Sequence, residues 1–370
     1  MTYLLALGLA FTLGLHLLTA LLAGLRYRRP APPEAPPLLP PITLIRPVCG
    51  LDPFDAETLA SSFGLDYPAY EVIFCAAHED DPAVQLVRDL IAAHPGTEAR
   101  LLIGEDRITA NPKLNNLQKS IAAARHDWLA MADSNLLLPR TYLRDLVAAW
   151  QEDTGLVSAP PAGIRPENLW GAVECAFLNT CQARWQLAAD AVGLGFAQGK
   201  TLFWRRDILI RGGGLEALGR NMAEDVAATK FIREQGLRVR LPRTLFAQPI
   251  GQRTASTIWQ RQLRWSKVRR DGFVLLFAAE ILQGPLLPLA LSLALWLTGA
   301  LPGWVPAVLP LIWYGAEWLL ARVAGWPSGA RDLLAFVIRD AMLPALWVVT
   351  WRSRNFDWRG TKMVPSEHPL

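Results

Sequence analysis

Three carboxylate motifs stand apart in this chain: Asp80-Asp81-Pro82, Met131-Ala132-Asp133-Ser134-Asn135 and Ala223-Glu224-Asp225. Between the first two lies Asn111-Pro112-Lys113-Leu114-Asn115-Asn116, and after the third comes Arg261-Gln262-Leu263-Arg264-Trp265. These residue types can divide one reaction among them. A carboxylate at a strand end can hold a hard divalent cation, guanidinium and ammonium groups can hold a phosphorylated leaving group, and a further carboxylate can deprotonate an alcohol. Arg261, Arg264 and Trp265 stand at i, i+3 and i+4, so they share one helix face.

Each motif also has a simpler reading. Asp81 precedes Pro82 and can cap a helix whose first residue is that proline. Capping and ligand binding coexist when the loop lies at a strand's carboxyl end. Asp133 closes an apolar strand with Asn135 two positions on, a pair suited to Mg²⁺ or Mn²⁺, which need only one or two protein carboxylates when phosphates complete the shell. The alternative is a turn built from Asp-Ser-Asn. Asp225 is the candidate general base, worth about 10²–10⁴-fold, with Glu224 as its alternative, although either acid could cap the helix that follows. Lys113 can meet a phosphate, or its motif can simply start a helix. Gly212-Gly213-Gly214 offers a tightly turned approach to Asp225. The Arg261–Trp265 helix can equally be a snorkelling interfacial helix.

The elements that must position these residues alternate. Strand patterns fall at 43–47, 71–76, 100–103, 128–132, 155–159, 200–204 and 237–241, and helical patterns at 82–94, 114–125, 139–150, 168–188 and 226–235. Such alternation predicts an α/β domain with a mostly parallel sheet, whose ligands bind beyond the strands' carboxyl ends. Arg46, Asp80-Asp81 and Asp133 fall there.

A chain of 370 residues can hold one domain of about 200–250 residues and several membrane spans. The hydrophobic fraction of 52% and mean hydropathy of +0.20 are concentrated towards the two ends. From Thr2 to Gly24 only Thr12, His16 and Thr19 interrupt an apolar run long enough to cross roughly 30 Å of hydrocarbon. Arg26, Tyr27, Arg28 and Arg29 follow it. A secretory signal carries its positive charge in front, so the pattern predicts an uncleaved anchor with the rest of the chain starting in the cytoplasm. Net charge is +4, and the Lys and Arg residues cluster beside apolar segments, which suits anionic headgroups and not nucleic acid. Cys49, Cys75, Cys175 and Cys181 show no metal-binding spacing; Cys49 and Cys75 read as buried thiols in a reduced compartment.

Pro30 to Pro41 reads as a stiff extended stalk. After Arg270 the chain is apolar again, with full spans expected at 283–301 and 304–324. At 333–351 the Arg339-Asp340 pair interrupts the pattern, so a partial or re-entrant segment is expected there. Its charges must face protein or the cytoplasmic interface, because charge facing lipid is costly.

The ordered series Arg46-Pro-Val-Cys-Gly50, Asp66-Tyr-Pro-Ala-Tyr70, Asp80-Asp81-Pro82, Asn111-Pro-Lys-Leu-Asn-Asn116, Asp133-Ser134, Ala223-Glu-Asp225 and Arg261-Gln-Leu-Arg-Trp265 resembles the ceramide glucosyltransferase family. The tail 351–360 is also similar. The resemblance implies a GT-A fold, a UDP-sugar donor (usually UDP-glucose), a divalent metal and inversion at the anomeric carbon. It assigns Asp81 to the nucleotide, Asp133 to both metal and nucleotide, Asp225 to the base, and the Arg261–Trp265 motif to donor and acceptor binding; Asn135 is expected beside Asp133 on the metal. Taken with the residue types, Arg46, Asp81, Lys113, Asp133, Arg261 and Arg264 are expected at the donor, and Trp265 and Glu224 at the lipid acceptor. Animal members carry a histidine near Asn179–Gln182 where this chain has none. Bacterial members are more similar, which points to a bacterial inner membrane with a cytoplasmic active site. Some of those act on diacylglycerol or hopanoids, with UDP-galactose or UDP-N-acetylglucosamine as further donors. A processive polysaccharide synthase would share the acidic motifs but need more spans, and a non-catalytic lipid-binding scaffold need not keep every motif. The expected layout is an anchor at 1–25, a basic Pro-rich stalk at 26–41, a GT-A catalytic domain at 42–255, an amphipathic interface helix at 256–280, membrane segments at 281–351 and a basic cytoplasmic tail at 352–370.

Overall fold

The computed structural model describes residues 1–28, 39–353, 356–358 and 361–363. Most of the stalk at 26–41 and of the tail at 352–370 therefore lies outside the described residues, as does part of the similar stretch at 351–360. The chain forms two compact units. One comprises Met1–Arg29, Gly163–Ala191 and Ile250–Arg354; the other comprises Pro30–Ala162, Val192–Pro249 and Asn355–Leu370.

The second unit is built on strands β1 (Ile42–Pro47), β2 (Tyr70–Ala76), β3 (Ala99–Ile103), β4 (Trp128–Ala132), β5 (Thr154–Ser158), β7 (Thr201–Arg205) and β8 (Arg238–Arg240); β6 (Pro161–Pro166) and β9 (Phe246–Gly251) carry the chain across the unit boundaries. The sheet runs β3-β2-β1-β4-β7-β5-β8. β3, β2, β1 and β4 are parallel, whereas β7 is antiparallel to both β4 and β5. The central strands are apolar at most positions because both faces are covered. Leu44, Val72, Phe74, Ala130 and Phe203 enter one core, and Ile45, Ile73, Cys75, Leu129, Met131 and Trp204 enter the other. This is the period-two alternation of a strand buried on both sides. The antiparallel insertion of β7 sets Thr201 opposite Ala132, which brings the start of β7 to the carboxyl end of β4. Cys75 is buried as expected; Cys49 is exposed, because β1 ends at Pro47 and Cys49 stands in the loop after it.

The other unit is helical. Thr2–Arg28, Trp304–Ala324 and Ala330–Arg352 are long and apolar enough to cross a membrane, by length and composition. The last membrane segment differs from the expectation. Ala330–Arg352 is one continuous helix through Arg339-Asp340, while the stretch expected as a full span at 283–301 contains the shorter helix Leu286–Leu297, bent by 47° from Val274–Leu282. Gly284-Pro285 lies at that bend, where proline cannot continue a helical hydrogen-bond ladder.

Arg339 does not interrupt its helix because the bundle satisfies its charge. Its guanidinium donates to both carboxylate oxygens of Glu317 at 3.0 and 2.8 Å, to Asp340 Oδ1 at 2.9 Å and to Thr180 Oγ1 at 2.6 Å. Arg339 is 1% and Glu317 0% exposed. Thr180 lies in a π-helical stretch, Phe177–Ala183, that interrupts the helix expected at 168–188. Removing one member of a buried pair strands its partner at a cost of about 3–5 kcal/mol, whereas exposed pairs contribute about 0–1 kcal/mol. Arg339→Met should therefore lower thermal stability in detergent strongly. Arg205→Ala, which breaks the half-exposed pair with Asp207, should change it by less than about 0.5 kcal/mol.

Candidate functional site

Two helix starts, the end of β4 and the residues just before β7 converge within the sheet-bearing unit. Asn111 caps the helix Pro112–Ala123 by accepting from Lys113 N at 2.9 Å, which fixes Lys113 in the first turn. The helix Glu224–Glu234 begins with its two acids, where a helix N-terminus favours negative charge. Asp133 follows β4, and its amide donates to Lys200 O at 3.1 Å.

Their side chains form one connected network. Lys113 Nζ lies 2.8 Å from Asp133 Oδ1 and 2.8 Å from Glu224 Oε1, and donates to Gly199 O at 2.7 Å. Lys200 Nζ lies 2.9 Å from Asp133 Oδ2 and donates to Asn135 Oδ1 at 2.9 Å. Asn111 Nδ2 donates to Glu224 Oε2 at 3.2 Å. Asp225 accepts from Gly199 N at 3.0 Å and Val226 N at 2.8 Å. A Cβ at Gly199 would stand 2.7 Å from Glu224 Oε1, so a larger residue there would push Glu224 out of this arrangement.

Burial alone would suppress every charge in this cluster, and the pairing decides which survive. Burial works against the Lys113 ammonium, but Asp133 and Glu224 hold it above the usual lysine value. Burial likewise works against the Asp133 carboxylate, yet Lys113 and Lys200 keep it well below the ordinary range. Asp225 goes the other way: burial first, then the adjacent Glu224 charge, push it up to about 6. A carboxylate tuned towards neutrality is suited to taking a proton.

The Lys200 ammonium already sits between Asp133 Oδ2 and Asn135 Oδ1, a cation held by the two oxygens expected to hold a metal. This oxygen-only donor set, with one carboxylate, fits a hard divalent cation that completes its shell from phosphates and water. Among the described residues, no group of three or more His, Cys, Asp or Glu side chains gathers as a metal site.

Other expected residues lie elsewhere or act differently. Asp81 caps Pro82–Ala93 through Ala83 N at 2.9 Å, and both its oxygens accept from Gly50 N, at 3.0 and 2.9 Å. It thereby ties down the loop after β1, whose Gly50 takes a φ of +68°. Arg46 is fully buried, its guanidinium donating to the carbonyls of Thr58, Ser134 and Leu136 at 3.1, 2.9 and 3.0 Å. It shapes the loop that carries Asp133 and Asn135. Gly212 packs against the Phe231 ring, and Gly213 and Gly214 turn the chain at positive φ between two short helices. Glu224 holds Lys113. Sequence reasoning passed over Lys200 and Gly199, because only the antiparallel register of β7 brings them to Asp133.

Arg261, Arg264 and Trp265 belong to the helical unit, on the helix Ala255–Gly272, which Thr254 caps. Arg261 NH1 pairs with the buried Glu174 at 2.7 Å, and its guanidinium lies 4.5 Å from the centre of the Trp265 ring. Trp265 packs against Cys175, Leu178 and Ile250. Arg264 is half-buried on the same helix.

The pKa of Asp225 makes an activity-independent prediction. In the window from the ordinary carboxylate value up to about 6, the unfolded chain has Asp225 charged while the folded chain holds its proton. The folded state thus binds more protons there, so this group's contribution to stability is largest at low pH and is lost as pH rises through that window. Asp225→Asn should flatten the slope, and Glu224→Gln should move its upper end to lower pH. Thermal unfolding across roughly pH 4–8 reads both.

The chain matches the family described as glycosyl transferase family 21 over residues 4–368. Ceramide glucosyltransferase 1 of Caenorhabditis elegans is 28% identical over 259 residues, covering 70% of this chain and 56% of the relative. Ceramide glucosyltransferase 3 of the same organism is 23% identical over 377 residues, covering 97% and 82%. The match thus spans little more than half of the first relative's length. The mannosyltransferase PcManGT from Pyrobaculum calidifontis, solved with GDP-Man and Mn²⁺, superposes with a TM-score of 0.54 at 19% identity, covering 92% of this chain and 99% of that one. That likeness establishes the fold as GT-A. With its motifs in order and the family match running almost end to end, the chain belongs to glycosyl transferase family 21, the ceramide glucosyltransferase family.

Proposed function

We propose that this protein is a membrane-anchored hexosyltransferase that moves glucose from UDP-glucose to the primary hydroxyl of ceramide, inverting the anomeric carbon, with its active site on the cytoplasmic face of an inner membrane. The observation that carries the reading is the Asp225 carboxylate, raised to about 6 and held by Gly199 N beside the Lys113–Asp133–Lys200 network. The glucose and the ceramide are supported by the names of the Caenorhabditis elegans relatives. The proposed layout keeps an anchor at 1–25, a stalk at 26–41, a catalytic domain at 42–255, an interface helix at 256–280, membrane segments at 281–351 and a tail at 352–370.

In this reading Asp225 takes the acceptor's hydroxyl proton while that oxygen bonds to the anomeric carbon and the carbon–oxygen bond to UDP breaks. One displacement inverts the centre, and the electron pair leaves with the diphosphate. Lys113 and Arg264 offset the charge that develops on the leaving group, where fixed cations act most strongly. Asp133 and Asn135 would hold Mg²⁺ or Mn²⁺, which when bound neutralises diphosphate charge. Asp81 fixes the nucleotide-side loop through Gly50. Arg46 supports the metal-side loop from behind, without touching the donor. Trp265 meets the lipid.

Asp225→Asn should reduce turnover by at least about 10²-fold and leave UDP binding in the presence of Mn²⁺ within about twofold of wild type. Turnover in single-cycle assays and UDP titration separate the two. An equal loss of UDP affinity would make Asp225 a donor ligand or a structural cap, and the assignment of the base would fail.

A further inference from the structure

Glu174 lies on the helix Leu169–Ala176 with no exposed surface at all. A carboxylate so placed requires a cation, and it finds one in the Arg261–Trp265 motif. Arg261 NH1 approaches Glu174 Oε1 to 2.7 Å, and Gln262 Nε2 donates to Glu174 Oε2 at 3.4 Å. Consecutive helical residues project about 100° apart, so two neighbours held by one carboxylate fix how the motif helix is rotated about its axis. One turn further on, the Trp265 ring lies beneath the Arg261 guanidinium at 4.5 Å, a cation–π distance. The ring also packs against Cys175 and Leu178, the first of these being Glu174's own neighbour in sequence.

We propose that Glu174 is a positioning residue for the acceptor. It holds Arg261, and Arg261 in turn fixes the plane of Trp265. The inference rests on the proposed transfer reaction and deepens it, because it moves Arg261 from the donor to the acceptor side of the chemistry. The charge of Arg261 is neutralised by Glu174, so it is spent on orienting the tryptophan and not on the diphosphate.

The test uses the full-length protein in detergent, with the acceptor KM, kcat and UDP affinity in Mn²⁺ measured side by side. Glu174→Gln should raise the acceptor KM about tenfold while UDP affinity stays within about twofold. Arg261→Gln should do the same, and the double variant should be no worse than either alone. Glu174→Asp, which keeps the charge, should recover part of the acceptor KM; if Glu174→Gln fails to fold, this variant carries the test, with a smaller rise expected. A fall in UDP affinity matching the rise in acceptor KM would return Arg261 to the donor. A loss of kcat with acceptor KM and UDP affinity unchanged would reduce Glu174 to a structural role, and an acceptor KM unchanged at unchanged kcat would also overturn the proposal. Wild-type protein that transfers nothing would instead defeat the reaction on which the inference stands.

Discussion

The Lys113 ammonium is the constraint on which the candidate site depends. It reaches the carboxylate after β4, the carboxylate that opens the helix Glu224–Glu234, and the carbonyl of Gly199 before β7. Three segments distant in sequence are thus drawn to one cation. Without it, Asp133 and Glu224 would stand near one another as largely buried like charges, a costly arrangement in a low-dielectric setting. Because Lys113 pairs with Glu224 and holds it in place, Glu224 stands where it can act electrostatically on Asp225 next to it. The ion pair and the raised carboxylate are two consequences of one arrangement.

The helical unit solves its own charge problem in the same manner. Arg339 and Asp340 sit mid-helix in an apolar segment, and Glu317 from Trp304–Ala324 and Thr180 from the π-helical stretch complete their shell. Polar groups of this kind tie helices together where apolar packing alone discriminates poorly between arrangements. Glu174 repeats the pattern with Arg261 and Gln262. In both units a charge removed from water is placed by a partner from another element, so each pair also sets geometry.

Most of the sheet was legible because its strands are short apolar runs between turn signals. Every strand expected from the sequence joins the seven-stranded sheet, with ends shifted by a residue or so. The antiparallel insertion of β7 was not legible, since a strand buried on both faces reads alike in either direction. Lys200 was hidden for that reason. Glu174 was hidden because a lone glutamate in an apolar helical stretch carries no motif, and its meaning comes from Arg261, which is far along the chain. Asp133, Asp225 and Lys113 were legible as a set because their order and spacing form a pattern, while Arg46 was legible only as a position at a strand end. Its burial against three carbonyls emerges from the fold. The Arg339-Asp340 pair misled for a related reason, because hydropathy counts charges without their partners.

The central claim is that this cluster serves transfer of a hexose from a nucleotide to a lipid alcohol. The most direct measurement crosses UDP-glucose, UDP-galactose and UDP-N-acetylglucosamine with ceramide, diacylglycerol and a hopanoid polyol, using purified protein in detergent with Mg²⁺ or Mn²⁺, and reads the products by mass. A single hexose on ceramide from UDP-glucose is the predicted result. Polymer, or no transfer to any of these acceptors from any donor, would contradict it.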